Sequence, residues 1–241
     1  MKTSGNTVLI TGGGFGPGNA LAEAFLSAGN EVVICGREQA VLDEVFGRLP
    51  GVHTITCDIA DDEGRRRLFE RVRDYFPRLN ILVNDASMAA ATDLLEPGAA
   101  EVIVAERSLD LQAPIFLTMK FLPHLLKQPD AAIVNVTASL DSALDALHPA
   151  YSAVRAALNS FSQSLRHQLR GTDVHVFEVL PSAVNGKRNR RPFAESNSRD
   201  LAEQVLSGMA RGSQEIRTGP KGLRYILSKF APGAAFSILN R

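Results

Sequence analysis

Residues Thr7-Val8-Leu9-Ile10-Thr11-Gly12-Gly13-Gly14-Phe15-Gly16-Pro17-Gly18 decide the fold. An apolar run of strand type enters a glycine-rich turn, and a helical pattern starts at once. Gly12, Gly16 and Gly18 permit a tight turn and a close backbone approach to a pyrophosphate, which then rests on a helix N-terminus. Pro17 falls near the first helical position, where a missing N–H costs little. A purely structural turn is the alternative. The strand–turn–helix placement at the head of an alternating chain favours the phosphate cradle.

Outward from this stretch, strand-like runs recur at Glu31–Cys35, His53–Cys57, Ile81–Asn84, Ala131–Thr137 and Val174–Leu180. Each is short, apolar and rich in Val or Ile, as strands buried on both faces are. Helical patterns fill the intervals at Gly18–Ala28, Gln39–Leu49, Asp61–Phe76, Ala99–Leu126 and Ala150–Arg170. The alternation predicts an α/β fold of Rossmann type: one doubly wound parallel sheet with helices on both faces, in a single domain over residues 1–241. Only Asn185–Asp200, polar and basic, interrupts the rhythm. The tail, Gly219–Arg241, is expected to pack on the body or on a partner subunit.

Composition narrows the function classes. The 26 basic and 26 acidic side chains balance, so no global field favours nucleic acid or an anionic membrane. No apolar run approaches the roughly 18 residues that a spanning helix needs. Residues Met1–Gly5 lead straight into a strand and leave no room for a signal peptide. Cys35 and Cys57 fall late in the second and third strands and read as small core hydrophobes rather than a disulfide. A cytoplasmic location follows as an expectation. His124, His148, His167 and His175 lack metal-ligand spacing, so no metal is expected. His148, close to Tyr151 in sequence, is a candidate substrate contact.

The Gly-x-x-x-Gly-x-Gly spacing after Thr11 resembles the short-chain dehydrogenase/reductase family. So do Cys57-Asp58-Ile59, Asn84-Asp85-Ala86-Ser87, Ile133-Val134-Asn135-Val136, Tyr151 with a basic residue four on, and Pro181. The N-terminal half and the end, Ala235-Phe236-Ser237-Ile238-Leu239-Asn240-Arg241, look most like the subgroup associated with D-alanine esterification of teichoic acids. That association is genetic and supplies no substrate.

The resemblance implies a nicotinamide dinucleotide held by Gly12, Gly14, Phe15, Gly16 and Gly18, with Asp58 and Ile59 at the adenine and Asn84 and Ala86 at the adenosine ribose. Pro181 and Val184 would flank the nicotinamide. Strand 2 ends at Gly36-Arg37, where an acidic residue would bind the ribose hydroxyls of NAD. Arg37 instead offers a charged fork to a 2′-phosphate, which favours NADP(H), unless it merely caps a solvated edge.

The catalytic centre departs from the family. Tyr151 matches the proton-handling tyrosine. Arg155 stands one turn on, where the family has a ribose-binding Lys; its charge survives, but a planar guanidinium is no ready proton relay. Ala138 occupies the serine position, with Ser139 one place along and usable only if the strand has ended or bulges. Asp110 occupies the position of an Asn that supports a water relay, and the familiar Asn-Asn-Ala-Gly becomes Asn84-Asp85-Ala86-Ser87. After Pro181 the usual Gly and Thr become Ser182 and Gly186, which removes a nicotinamide contact.

Three readings stay open. One is an NADP(H)-preferring oxidoreductase acting on a carbonyl or alcohol, with Tyr151, Arg155, Asp110 and Ser139 as catalytic candidates. A second is a non-redox enzyme using Tyr151 as acid or base, and a third is a non-catalytic NADP(H)-binding regulator. The partner in each is a small molecule. Residues 185–212 correspond to the family's substrate lid, in which Lys187, Arg188, Arg190 and Arg191 would grip an anion or simply form a solvated loop. Long helices with Leu111, Ile115, Phe116, Leu158 and Phe161 imply a homodimer or homotetramer. Asp110 and Arg155 carry opposite charge at positions whose family counterparts neighbour each other, so an ion pair beside Tyr151 is expected. It would suit Tyr151 to general-acid rather than general-base work.

Overall fold

The computed structural model describes residues 1–88, 93–137, 146, 148–181 and 195–218. Seven parallel strands form one sheet in the order β3-β2-β1-β4-β5-β6-β7. They are β1 (Thr7–Thr11), β2 (Glu31–Gly36), β3 (Val52–Thr56), β4 (Leu79–Asn84), β5 (Ala131–Val136), β6 (Val174–Pro181) and β7 (Glu215–Thr218). The helices are α1 (Gly16–Ser27), α2 (Gln39–Arg48), α3 (Asp62–Tyr75), α4 (Ala99–Glu106), α5 (Ala113–Leu125), α6 (Pro149–Gln168) and α7 (Glu195–Ala210). A π-helical segment, Arg107–Gln112, joins α4 to α5.

The central strands are buried on both faces because neighbouring residues serve opposite layers. Val8 and Ile10 face Leu21 and Phe25 of α1 and Val205 and Met209 of α7. Leu9 faces the other way, toward Leu68 and Val72 of α3 and Leu117 and Phe121 of α5. The chain reverses its direction of travel across the sheet between β1 and β4, which pair from Thr7↔Leu79 to Thr11↔Asn84. The crevice beyond their carboxyl ends is the switch point at which open α/β sheets bind ligands.

Three elements depart from the sequence reading. The helix expected over Ala99–Leu126 is broken by the π turn, which hydrophobic periodicity does not reveal. The edge strand β7 was not expected; its four residues contain one apolar side chain, Ile216. Residues 195–210, grouped in sequence with the lid, form α7, and Leu201, Ala202, Val205 and Met209 are buried against the sheet. That part of 185–212 is therefore core, while 182–194 lie outside the described residues. No helix among the described residues is long and apolar enough to cross a membrane.

Candidate functional site

The glycine turn closes over the end of β1. Gly12 has φ +75°, and a Cβ there would lie 2.6 Å from the Cα of Ala86, so only glycine lets the two loops meet. The Thr11 hydroxyl fastens the same junction by accepting the N–H groups of Asp85 at 3.1 Å and Ala86 at 3.2 Å. At the head of α1, Phe15 is the N-cap residue and supplies no side-chain acceptor. The helix therefore presents the unsatisfied N–H groups and positive end that a phosphate neutralises. Phe15 is 66% exposed at the cradle's lip. Gly14 packs on Val41 of α2, and Gly16 has φ +52°.

The adenosine side is more open. Arg37 is exposed just beyond β2. Asp58 is exposed beyond β3, and its Oδ1 accepts the Ala60 N–H at 2.9 Å, which shapes the loop. Two residues expected at the cofactor also have partners within the protein. The Ile59 side chain is 5% exposed and packs in the core, while its carbonyl accepts from Arg65 at 2.7 Å. Asn84 is buried and donates to Asn135 Oδ1 at 2.8 Å, and Asn135 in turn donates to Ser162 at 2.9 Å. This buried relay ties β4, β5 and α6 together, and Asn84 Oδ1 is left buried without a hydrogen-bond partner. Pro181 is buried at the end of β6 beside Thr218. Cys35 and Cys57 are both free thiols.

The altered catalytic positions converge. Asp110 lies in the π turn and is fully buried. One carboxylate oxygen accepts the Met88 N–H at 2.9 Å; the other accepts the Ser87 hydroxyl at 2.7 Å and lies 3.2 Å from Arg155 Nη2. Arg155, 4% exposed on α6, also donates from Nη1 to the Val136 carbonyl at 2.6 Å. Its guanidinium carbon lies 5.1 Å from the centre of the Tyr151 ring, within cation–π range. The ion pair expected from opposite charges is present beside Tyr151, and Asp110 meanwhile fixes the loop after β4. Ala138, Ser139, Val184 and the basic cluster 187–191 fall outside the described residues.

Two further carboxyls join this pair. Asp85 is partly buried, and burial pushes its carboxyl up to about 7, with Arg155 opposing and Asp110 reinforcing the rise. Burial also raises Asp110, against the pull of Arg155, and the carboxylate of buried Glu106 adds to the rise. Sequence reasoning placed Asp85 and Ser87 in a motif but gave neither a role. The signal was there: an acid replaces the second Asn of the family stretch, next to another Asn-to-Asp change.

Residues 6–197 match the family model for short chain dehydrogenases. An uncharacterized oxidoreductase of Bacillus subtilis (strain 168), DltE, is 44% identical over 225 residues, which cover 90% of this chain and 89% of that protein. A short chain dehydrogenase from Burkholderia cenocepacia J2315, solved in complex with NADP, superposes with TM-score 0.82 at 25% identity over 99% of each chain. One from Burkholderia phymatum, solved in complex with NAD, superposes with TM-score 0.83 at 20% identity, over 100% of this chain and 97% of that one.

Proposed function

Because the chain belongs to the short-chain dehydrogenase family, an oxidoreductase family, we propose that it is an NADP(H)-preferring member acting on a carbonyl or alcohol through an altered active centre. The cradle carries this reading: a glycine turn in which Gly12 leaves no room for a Cβ, beside a helix end whose cap residue supplies no acceptor. The first turn of α1 would hold the pyrophosphate, and the exposed Arg37, whose fork suits a phosphate, would hold the 2′-phosphate. Asp58 accepts from the adenine amino group.

When bound, the nicotinamide exchanges a hydride with the substrate carbon. Tyr151 donates the proton to the carbonyl oxygen in reduction. Arg155 holds the Tyr151 ring from below and keeps α6 fastened to the end of β5. Its terminal nitrogens are already committed to Asp110 and Val136, so it offers a ribose far less than a free ammonium would. Asp110 positions Arg155 and the Ser87–Met88 loop rather than a water chain. The substrate is a small molecule and the location cytoplasmic, in keeping with two free cysteines.

The deciding experiment is a titration with NADPH and NADH followed by fluorescence or calorimetry. NADPH is expected to bind at least about tenfold tighter, because a bidentate Arg–phosphate contact is worth roughly 1.5–3 kcal/mol. Arg37→Ala should erase most of the gap. Equal affinities in the parent protein would refute the cofactor preference.

The assembly is a homodimer or homotetramer built on the α4–α5 face. Val104, Phe116 and Met119 are exposed there at 50%, 38% and 61%. Burying such a face against a second copy removes apolar surface from water. Light scattering at micromolar concentration should give at least twice the 26.0 kDa chain mass, and a monomer would refute the arrangement.

A further inference from the structure

Asp85 sits where a bound pyrophosphate would be least tolerant of charge. Its Oδ2 lies 2.6 Å from the position a Cβ would take on Gly18, in the first turn of α1. The nearby Gly18 N–H draws this carboxyl down, against the rise that burial gives it. Asp85 thus brings a carboxyl from just beyond β4 to the uncapped first turn of α1. A carboxylate and a pyrophosphate then draw on the same positive helix end. The surroundings offer little relief. From α6 comes Arg155, already paired with Asp110 of the π turn; β1 and α1 contribute only backbone groups and the Thr11 hydroxyl. The Arg155 guanidinium is shared by the carboxyls of Asp85 and Asp110, and Glu106 adds its own charge beside Asp110.

Resting on the dinucleotide reading above, we propose that docking of a pyrophosphate on α1 is coupled to uptake of one proton at the Asp85 carboxyl. The proton comes from solvent and adds to Oδ1 or Oδ2, and no bond of the cofactor changes. A neutral carboxyl keeps an oxygen toward Gly18 and withdraws the repulsion between two anions that share one helix end. Burial pushes the free carboxyl up to about 7, so the coupling falls within the physiological range.

Asp85→Asn separates charge from geometry, since the amide keeps the carboxyl's shape and an acceptor oxygen but cannot ionise. Calorimetry with NADPH at pH 7 in two buffers of different ionisation enthalpy counts the protons taken up. Uptake by the parent protein is expected to exceed that of Asp85→Asn by roughly half a proton or more, and the 2′-phosphate's own titration cancels in the comparison. Above pH 7 the parent's affinity should fall by up to about tenfold per pH unit while that of Asp85→Asn stays nearly level, leaving Asp85→Asn roughly tenfold tighter at pH 8. Equal proton uptake and parallel pH curves, with NADPH bound by both, would overturn the proposal and leave the cofactor reading intact. Failure of both proteins to bind NADPH or NADH would overturn the two together. Should Asp85→Asn not fold, the Asp85 carboxyl carbon resonance of the parent decides. It should titrate in the free protein and remain protonated past pH 8 with NADPH; an unmoved titration would sink the idea.

Discussion

Arg155→Met is expected to cost about 3–5 kcal/mol of folding stability, the penalty for breaking a buried ion pair from one side. The substitution leaves Asp110, fully buried, with the Ser87 hydroxyl and the Met88 N–H but without a counter-charge. It also orphans the Val136 carbonyl, which Arg155 Nη1 holds at 2.6 Å. The pH dependence has a definite sign. Asp110 already has a raised carboxyl, so in the folded state it holds its proton to higher pH than in the unfolded chain. Removing Arg155 takes away the charge that opposes that rise. The loss should therefore be smallest in acid, where Asp110 is neutral, and grow as pH rises through its folded-state titration. Asp110→Leu combined with Arg155→Met should recover much of the loss, because no lone buried charge remains. Urea unfolding at pH 5 and pH 8 measures all of this. A loss under about 1 kcal/mol at both pH values would mean that the pair does not hold the site together.

Gly64→Ala should destabilise by at least about 2–3 kcal/mol although it lies in a helix, where alanine ordinarily gains about 1 kcal/mol over glycine. The residue sits in the first turn of α3, and its N–H caps onto Asp61 Oδ2 at 2.9 Å. A Cβ there would penetrate the carbonyl oxygen of Asp58, which is backbone and has no rotamer to escape into. The strain falls on the residue read as the adenine acceptor, so NADPH affinity should weaken along with the thermal midpoint. A stabilised protein with unchanged affinity would show that the loop after β3 yields freely.

Much of this was legible in the chain because the physics is local. Strand β1 and the glycine turn are decided by residues adjacent in sequence, and both lie where expected. The Asp110–Arg155 pair was readable for a different reason: two departures from one pattern carried opposite charges, and only proximity makes sense of both. Helix α7 hid because its first six residues, Glu195-Ser196-Asn197-Ser198-Arg199-Asp200, are polar; its apolar stripe begins only at Leu201. Strand β7 hid because its pairing with β6, not its composition, makes it a strand. Asn84 and Ile59 were assigned to the cofactor by motif, and their side chains turned inward because the sheet and core needed them. A motif fixes where the backbone goes more firmly than what each side chain touches.

The π turn between α4 and α5 has a consequence for how such a chain can vary in length. A π turn encloses one residue more than an α turn between bonded partners. Deleting a single residue within Arg107–Gln112 would let the helix run on as α. Because the π turn takes up its extra residue within one wider turn, the flanks would keep their register, and Leu117 and Phe121 would stay against the sheet. What would go is the widened turn that carries Asp110 to Ser87 and Arg155. A one-codon deletion here would therefore strip the active centre of its contacts while sparing the scaffold, whereas the same deletion in a regular helix would turn everything beyond it by about 100°.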